Sequence, residues 1–211
     1  EVHNPRRQSA VVCLALIAIC VFAFFAEVAL IMQGGPDALR PFTVVPEDLK
    51  GGRHLLSLLT HMFLHGGIAH LLGNMWFLWT FGDNVEDRVG RARFLALYLL
   101  FGLAAVAVQL PFLPSPDSRL LGASGAIAGL MGAYLGLFQR AHLYQVFLFI
   151  RWRVPVWFYL GGWLALNAAI GIAELNQSVP TTKVAWWAHV GCFVAGLLWA
   201  LLFGRGYRDG A

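Results

Sequence analysis

The chain has 211 residues, 59% of them hydrophobic and 12% charged, whereas soluble domains carry about 25% charged residues. Its net charge of +4 comes from basic residues that flank apolar runs and form no stripe, which excludes nucleic acid as a partner. The cysteines, Cys13, Cys20 and Cys192, all fall inside apolar runs, so neither a disulfide framework nor a paired-cysteine zinc site is encoded.

A membrane-spanning helix needs about 20 mostly apolar residues. In chain order the candidate spans are 10–32, 58–81, 94–110, 122–138, 154–173 and 184–203. The first is too long and too weakly terminated for a signal peptide, and no small-residue cleavage site follows it, so it reads as a retained helix. Six spans in this length leave no room for a separate soluble domain, and residues 1–211 read as one all-α membrane domain. One set of connections holds Arg6, Arg7, Arg88, Arg91, Arg93, Arg140, Arg151, Arg153, Arg205 and Arg208. The other holds Arg40, Lys50, Arg53, Arg119 and Lys183. By the positive-inside rule both termini are then cytoplasmic.

With that orientation, spans two, four and six all run inward from the outer face. Ser124 lies near the start of span four. His189 lies about five residues into span six, roughly 7 Å deep at 1.5 Å per residue. His61, His65, His70 and Asn74 fall in the first half of span two. All these polar groups are expected at one shallow level, open to the outer aqueous side.

Serine and histidine are the minimal parts of an activated hydroxyl nucleophile. Each also has a plainer reading. Ser124 stands in Gly122-Ala123-Ser124-Gly125, and small residues let membrane helices approach closely. Gly129, Gly132 and Gly136 continue that surface, which would also bring span six near enough for His189 to reach Ser124. A lone His189 can be a packing residue, although intramembrane ionisable groups are functional candidates by default. Trp186 and Trp187 before it read as interfacial anchors. No Asp or Glu lies near the outer level of these spans, which favours a Ser–His dyad over a triad.

His61 and His65 are four apart, a conceivable metal pair, but the glutamate-bracketing metalloprotease pattern is missing and no carboxylate is at hand. No metal or cofactor is expected. His70 and Asn74 are also four apart and share a helix face. Two neutral donors aimed at one point suit an oxyanion; hydrogen bonding between helices is the equal alternative.

The chain resembles the rhomboid family of intramembrane serine proteases, in its compact six-helix bacterial form. The resemblance rests on four motifs in family order. They are His65-Gly-Gly-Ile-Ala-His70-Leu-Leu-Gly-Asn74, Gly82-Asp-Asn-Val-Glu86-Asp-Arg-Val-Gly90, Gly122-Ala-Ser124-Gly125, and Ala188-His189 followed by small residues. It implies a six-transmembrane-helix bundle with a partly embedded loop at 33–56. It also implies Ser124 as nucleophile, His189 as general base, and an oxyanion site made by the Ser124 backbone N–H with His70 and Asn74. Glu86 would brace the connection between spans two and three. The implied partners are single-pass transmembrane substrates and the lipid bilayer. The implied location is a bacterial inner membrane, with the site open to the outer side. Three positions depart from the family pattern. Leu56-Ser57 stands where a Trp-Arg pair is frequent, with Arg53 one turn earlier; Cys192 stands at a usual glycine, where its sulfur is expected to take space between spans four and six; and His61 stands at a usual smaller residue. An inactive relative that binds membrane proteins should lack Ser124 or His189. A transporter should show an inverted repeat or a midplane carboxylate pair, and neither is seen.

Overall fold

The structure, a computed structural model, describes residues 9–147, 150–175 and 184–204. Arg6, Arg7, Lys183, Arg205 and Arg208, used above to orient the chain, lie outside the described residues. Helix α1 (Val11–Gly34) runs 24 residues and is apolar except for Glu27 and Gln33. Its first amides have no carbonyl four residues back. Glu86, fully buried, supplies the missing acceptors, taking the N–H groups of Val12 and Cys13 at 2.9 and 2.7 Å.

The following connection is built rather than loose. It holds a 3-10 turn (Pro36–Phe42), the short α2 (Pro46–Lys50) and α3 (Ser57–Thr60). Val44 and Leu120 exchange backbone hydrogen bonds of 3.0 and 2.9 Å, and the Glu47 N–H donates to the Pro116 carbonyl at 3.0 Å. Asp48, 2% exposed, receives Arg40 and Arg53. Arg40 also pairs with Asp117, and Arg119 with Asp37. Arg40 first and Arg53 second hold the Asp48 carboxyl below the usual carboxylate range, and Asp48 first and Asp117 second push Arg40 up. Arg53, one turn before the Leu56-Ser57 position, donates to Asp48 within this loop.

Span two departs from expectation. The pattern places one helix over 58–81, yet the helix begins at Ile68 as α4 (Ile68–Phe77). It widens into a π turn (Leu78–Gly82) and continues as α5 (Asp83–Val89). Residues 61–63 form a separate 3-10 turn. Gly66-Gly67 supports a helix poorly, and the His65 N–H is taken by the Glu27 carboxylate of α1 at 2.9 Å. His61 and His65 therefore share no helix with His70 and Asn74.

Helices α6 (Arg91–Gln109), α7 (Ser124–Leu137), α8 (Val156–Leu175) and α9 (Trp186–Phe203) complete the bundle. Among the described residues, four helices are long and apolar enough to cross a membrane: α1, α6 with the turn that follows it, α8 and α9. This is an integral membrane protein. Helix α7 is shorter, and every residue from 125 to 134 in it is buried, as expected of a central helix that is apolar all round. Glycine sets its neighbours. A Cβ at Gly132 would lie 1.9 Å from the Phe193 carbonyl oxygen, and one at Gly196 would lie 1.9 Å from the Gly129 oxygen. Helices α7 and α9 thus meet backbone to backbone. Gly125 and Gly129 make room for the side chains of Ala105 and Phe101 of α6.

Between α7 and α8 the chain forms an antiparallel hairpin, β1 (His142–Phe147) and β2 (Ile150–Pro155), in register from His142↔Pro155 to Phe147↔Ile150. The residue pattern predicts only a connection there. The bundle itself is all-α.

Candidate active site

Three backbone contacts place the start of α7. Leu120 is held by Val44, as above. The Gly122 N–H donates to the His61 main-chain carbonyl at 2.8 Å. Gly122 has φ of 126°, a conformation that favours glycine. A Cβ there would also sit 2.9 Å from His70 Cε1. The chain can therefore turn sharply and deliver Ser124 as the first residue of α7, beside His70.

His189 is fixed from the other side. It lies in the first turn of α9, whose Ala188 N–H is accepted by Gln109 Oε1 of α6 at 3.0 Å. Its Nε2 is 2.8 Å from Ser124 Oγ, and its Nδ1 is 2.8 Å from Asn167 Oδ1 of α8. Asn167 Nδ2 donates to the Trp163 carbonyl at 2.7 Å, which leaves its oxygen facing the imidazole. Nδ1 then carries the proton, and Nε2 is free to accept from the serine hydroxyl. The ring is flanked by Trp163 and Trp186, with centroids 5.8 and 6.1 Å away. Among the described residues, the hydrogen-bond partner of His189 Nδ1 is an amide of span five and not a carboxylate. The signal was present in the sequence, since Asn167 interrupts an apolar run, but a search for acidic partners passes over it.

On the opposite wall, Asn74 of α4 is 7% exposed, and its Nδ2 has no hydrogen-bond partner among the described residues. His70, one turn earlier, is exposed to the same space. Ser124, His189, His70 and Asn74 all line one cavity of about 930 Å³. The Ser124 N–H, at the helix start, lacks an intrahelical acceptor, and this end of a helix favours negative charge. Arranged so, the groups can activate a hydroxyl, and can hold a developing oxyanion with donors from two elements.

Other expected residues sit elsewhere. The His61 and His65 Nδ1–H groups donate to the Ser57 and Phe63 carbonyls at 2.9 and 3.2 Å, so these nitrogens do not converge on one point. Glu27 of α1 lies on the cavity wall, where its carboxylate accepts the His65 backbone N–H. The expected crowding by Cys192 between spans four and six is not found. Its thiol donates to the Phe101 carbonyl of α6 at 3.3 Å, so the sulfur faces span three.

A model of the rhomboid domain matches residues 52–206. The chain belongs to the rhomboid family. Among its relatives, "Rhomboid protease GluP" of Bacillus subtilis is 46% identical over 122 residues, covering 56% of this chain and 23% of that protein. "RHOMBOID-like protein 4" of Arabidopsis thaliana is 32% identical over 168 residues, 78% of this chain and 39% of that one. "Rhomboid protein 1, mitochondrial" of Saccharomyces cerevisiae is 28% identical over 148 residues, 68% of this chain and 40% of that one. This rhomboid thus spans between 23% and 40% of the length of these relatives. The family consists generally of intramembrane serine proteases.

Proposed function

We propose that this rhomboid is an intramembrane serine endopeptidase that cleaves single-pass transmembrane proteins at Ser124. What supports the reading most is the 2.8 Å contact between Ser124 Oγ and His189 Nε2 at the wall of a cavity. Imidazole Nε2 takes the hydroxyl proton as Oγ adds to the scissile carbonyl. The carbonyl oxygen, now negative, is received by the Ser124 N–H with the side chains of His70 and Asn74. Collapse breaks the C–N bond, and the imidazolium returns its proton to the leaving amine. A water molecule from the cavity then repeats the sequence on the ester and frees Ser124.

The substrate enters from the bilayer and unwinds locally, because a helical amide is already hydrogen-bonded and each unsatisfied group in hydrocarbon costs several kcal/mol. The site opens to the outer side of a bacterial inner membrane, with both ends of the chain cytoplasmic. Arg88, Arg91, Arg93, Arg140, Arg151 and Arg153 then sit on the inner side.

The test is a covalent probe for activated serine, applied to the purified chain beside cleavage of a model single-pass substrate. Stoichiometric labelling at Ser124 is expected, lost in Ser124→Ala and His189→Ala together with cleavage. A folded Ser124→Ala variant that cleaves normally would overturn the assignment.

A further inference from the structure

We infer that Asn167 is a positioning residue for His189, so that the catalytic group is a neutral Ser–His–Asn relay built from α7, α9 and α8. The inference rests on the protease reading of Ser124 and His189. It is carried by two linked hydrogen bonds. Asn167 Oδ1 accepts from His189 Nδ1–H at 2.8 Å, and Asn167 Nδ2 donates to the Trp163 carbonyl at 2.7 Å. The second bond matters as much as the first. An amide can present either oxygen or nitrogen, and only the oxygen can accept from Nδ1–H. Trp163 lies one turn before Asn167 on the same helix, so the backbone of α8 itself fixes which end faces the ring.

The consequence for the base is specific. A neutral imidazole holds one proton, and Ser124 is activated only if that proton is on Nδ1. With the acceptor in place, the productive tautomer keeps its hydrogen bond, while the other would set the bare Nδ1 lone pair against the Asn167 oxygen. The same contact holds the ring plane that aims Nε2 at Ser124 Oγ. Asn167 is 4% exposed, so water does not readily replace its oxygen. A carboxylate in this place would stabilise imidazolium more strongly, but as a charge buried within the bilayer's depth it would be costly without further partners. The amide orients without that charge. Among the described residues, the titratable groups that share the cavity wall with this imidazole are His70 of α4, Glu27 of α1, and His65 and Arg119 of the connections.

The experiment measures kcat, KM and the pH dependence of kcat/KM for Asn167→Leu and Asn167→Asp, using the purified chain and a model single-pass substrate. Asn167→Leu keeps the volume and loses the acceptor. Its kcat should fall by about tenfold to a thousandfold, below the roughly ten-thousandfold loss known when the orienting group of a triad imposes the wrong tautomer. Its KM should stay within about twofold of wild type. Asn167→Asp keeps an acceptor oxygen. It should recover at least tenfold of the kcat lost in the Leu variant, and a charged carboxylate should move the acid limb of the profile to higher pH. A merely packing role predicts neither the recovery nor the shift. Wild-type kcat in Asn167→Leu would overturn the inference, as would an Asp variant no more active than a folded Leu variant. Should the Leu variant fail to fold, the Asp variant decides through its acid limb: a shift upward supports the relay, and a wild-type limb overturns it. Ser124→Ala runs in parallel. If it is inactive while Asn167→Leu turns over normally, only the positioning role fails; if it cleaves normally, the protease reading fails first.

Discussion

The two sides of α7 are built on opposite principles. Against α9 the helix is stripped to glycine, and backbone touches backbone at Gly132 and Gly196. Towards α4 the same helix faces a cavity of about 930 Å³, whose wall holds a buried donor, Asn74 Nδ2, with no partner among the described residues. The first side packs main chain on main chain, and Ser124 and His189 stand 2.8 Å apart at one end of it. The second leaves space and unspent hydrogen-bonding capacity, which a close-packed bundle has no structural reason to keep. Rigid placement of the reacting pair on one side permits an open site on the other.

The largest effect should come from breaking the closed side. Gly196→Val puts a branched side chain where even a Cβ meets the Gly129 oxygen at 1.9 Å. Overpacking typically costs about 1–3 kcal/mol and occasionally more, and here the obstacle is backbone that cannot rotate away. The variant should lose most folded protein on detergent size exclusion, and any folded remainder should be inactive. A monodisperse, active Gly196→Val would show that α7 and α9 are not locked at this contact.

The open side should respond in turnover rather than stability. Losing one oxyanion donor costs about 3–4 kcal/mol of transition-state stabilisation, a hundredfold or more in kcat. Asn74→Ala should show that loss, softened if His70 shares the load, while its melting temperature stays near wild type. Wild-type turnover with collapsed stability would instead make Asn74 a bundle contact, and the contrast between the two sides would disappear.

The smallest effect lies at the rim, where Asp48 ties the connection that steadies the Ser124 turn. Its carboxyl is held below the ordinary value by Arg40 and Arg53. A depressed carboxylate stabilises the fold above its unfolded pKa of about 3.9, and that contribution is lost as pH falls through the lower folded value. Asp48→Asn should lower the melting temperature modestly, by an amount constant from pH 8 to pH 5. The gap from wild type should close only below about pH 4. A gap that closes between pH 7 and 5 would mean that another group controls this loop.

What the sequence by itself determined is what composition and local spacing can carry. Apolar runs of spanning length set the membrane class and the approximate helix positions, because each segment must satisfy its own backbone in lipid. The family motifs marked Ser124, His189, His70 and Asn74 as candidates, and the glycines of span four marked the surface for close approach. Local pattern failed at span two, where 58–81 stays apolar across the break but Gly66-Gly67 and the Glu27 contact with the His65 amide delay the helix to Ile68. It failed again over 142–155, where the strands exist only through pairing with each other. Only the tertiary structure decided that Gln109 would hold the start of α9, that Cys192 would face α6, and that Asn167 would meet His189. The physical reason is common to all three. A hydrogen bond between helices depends on their rotation and depth relative to each other, and those are set by packing between residues 22 to 91 positions apart.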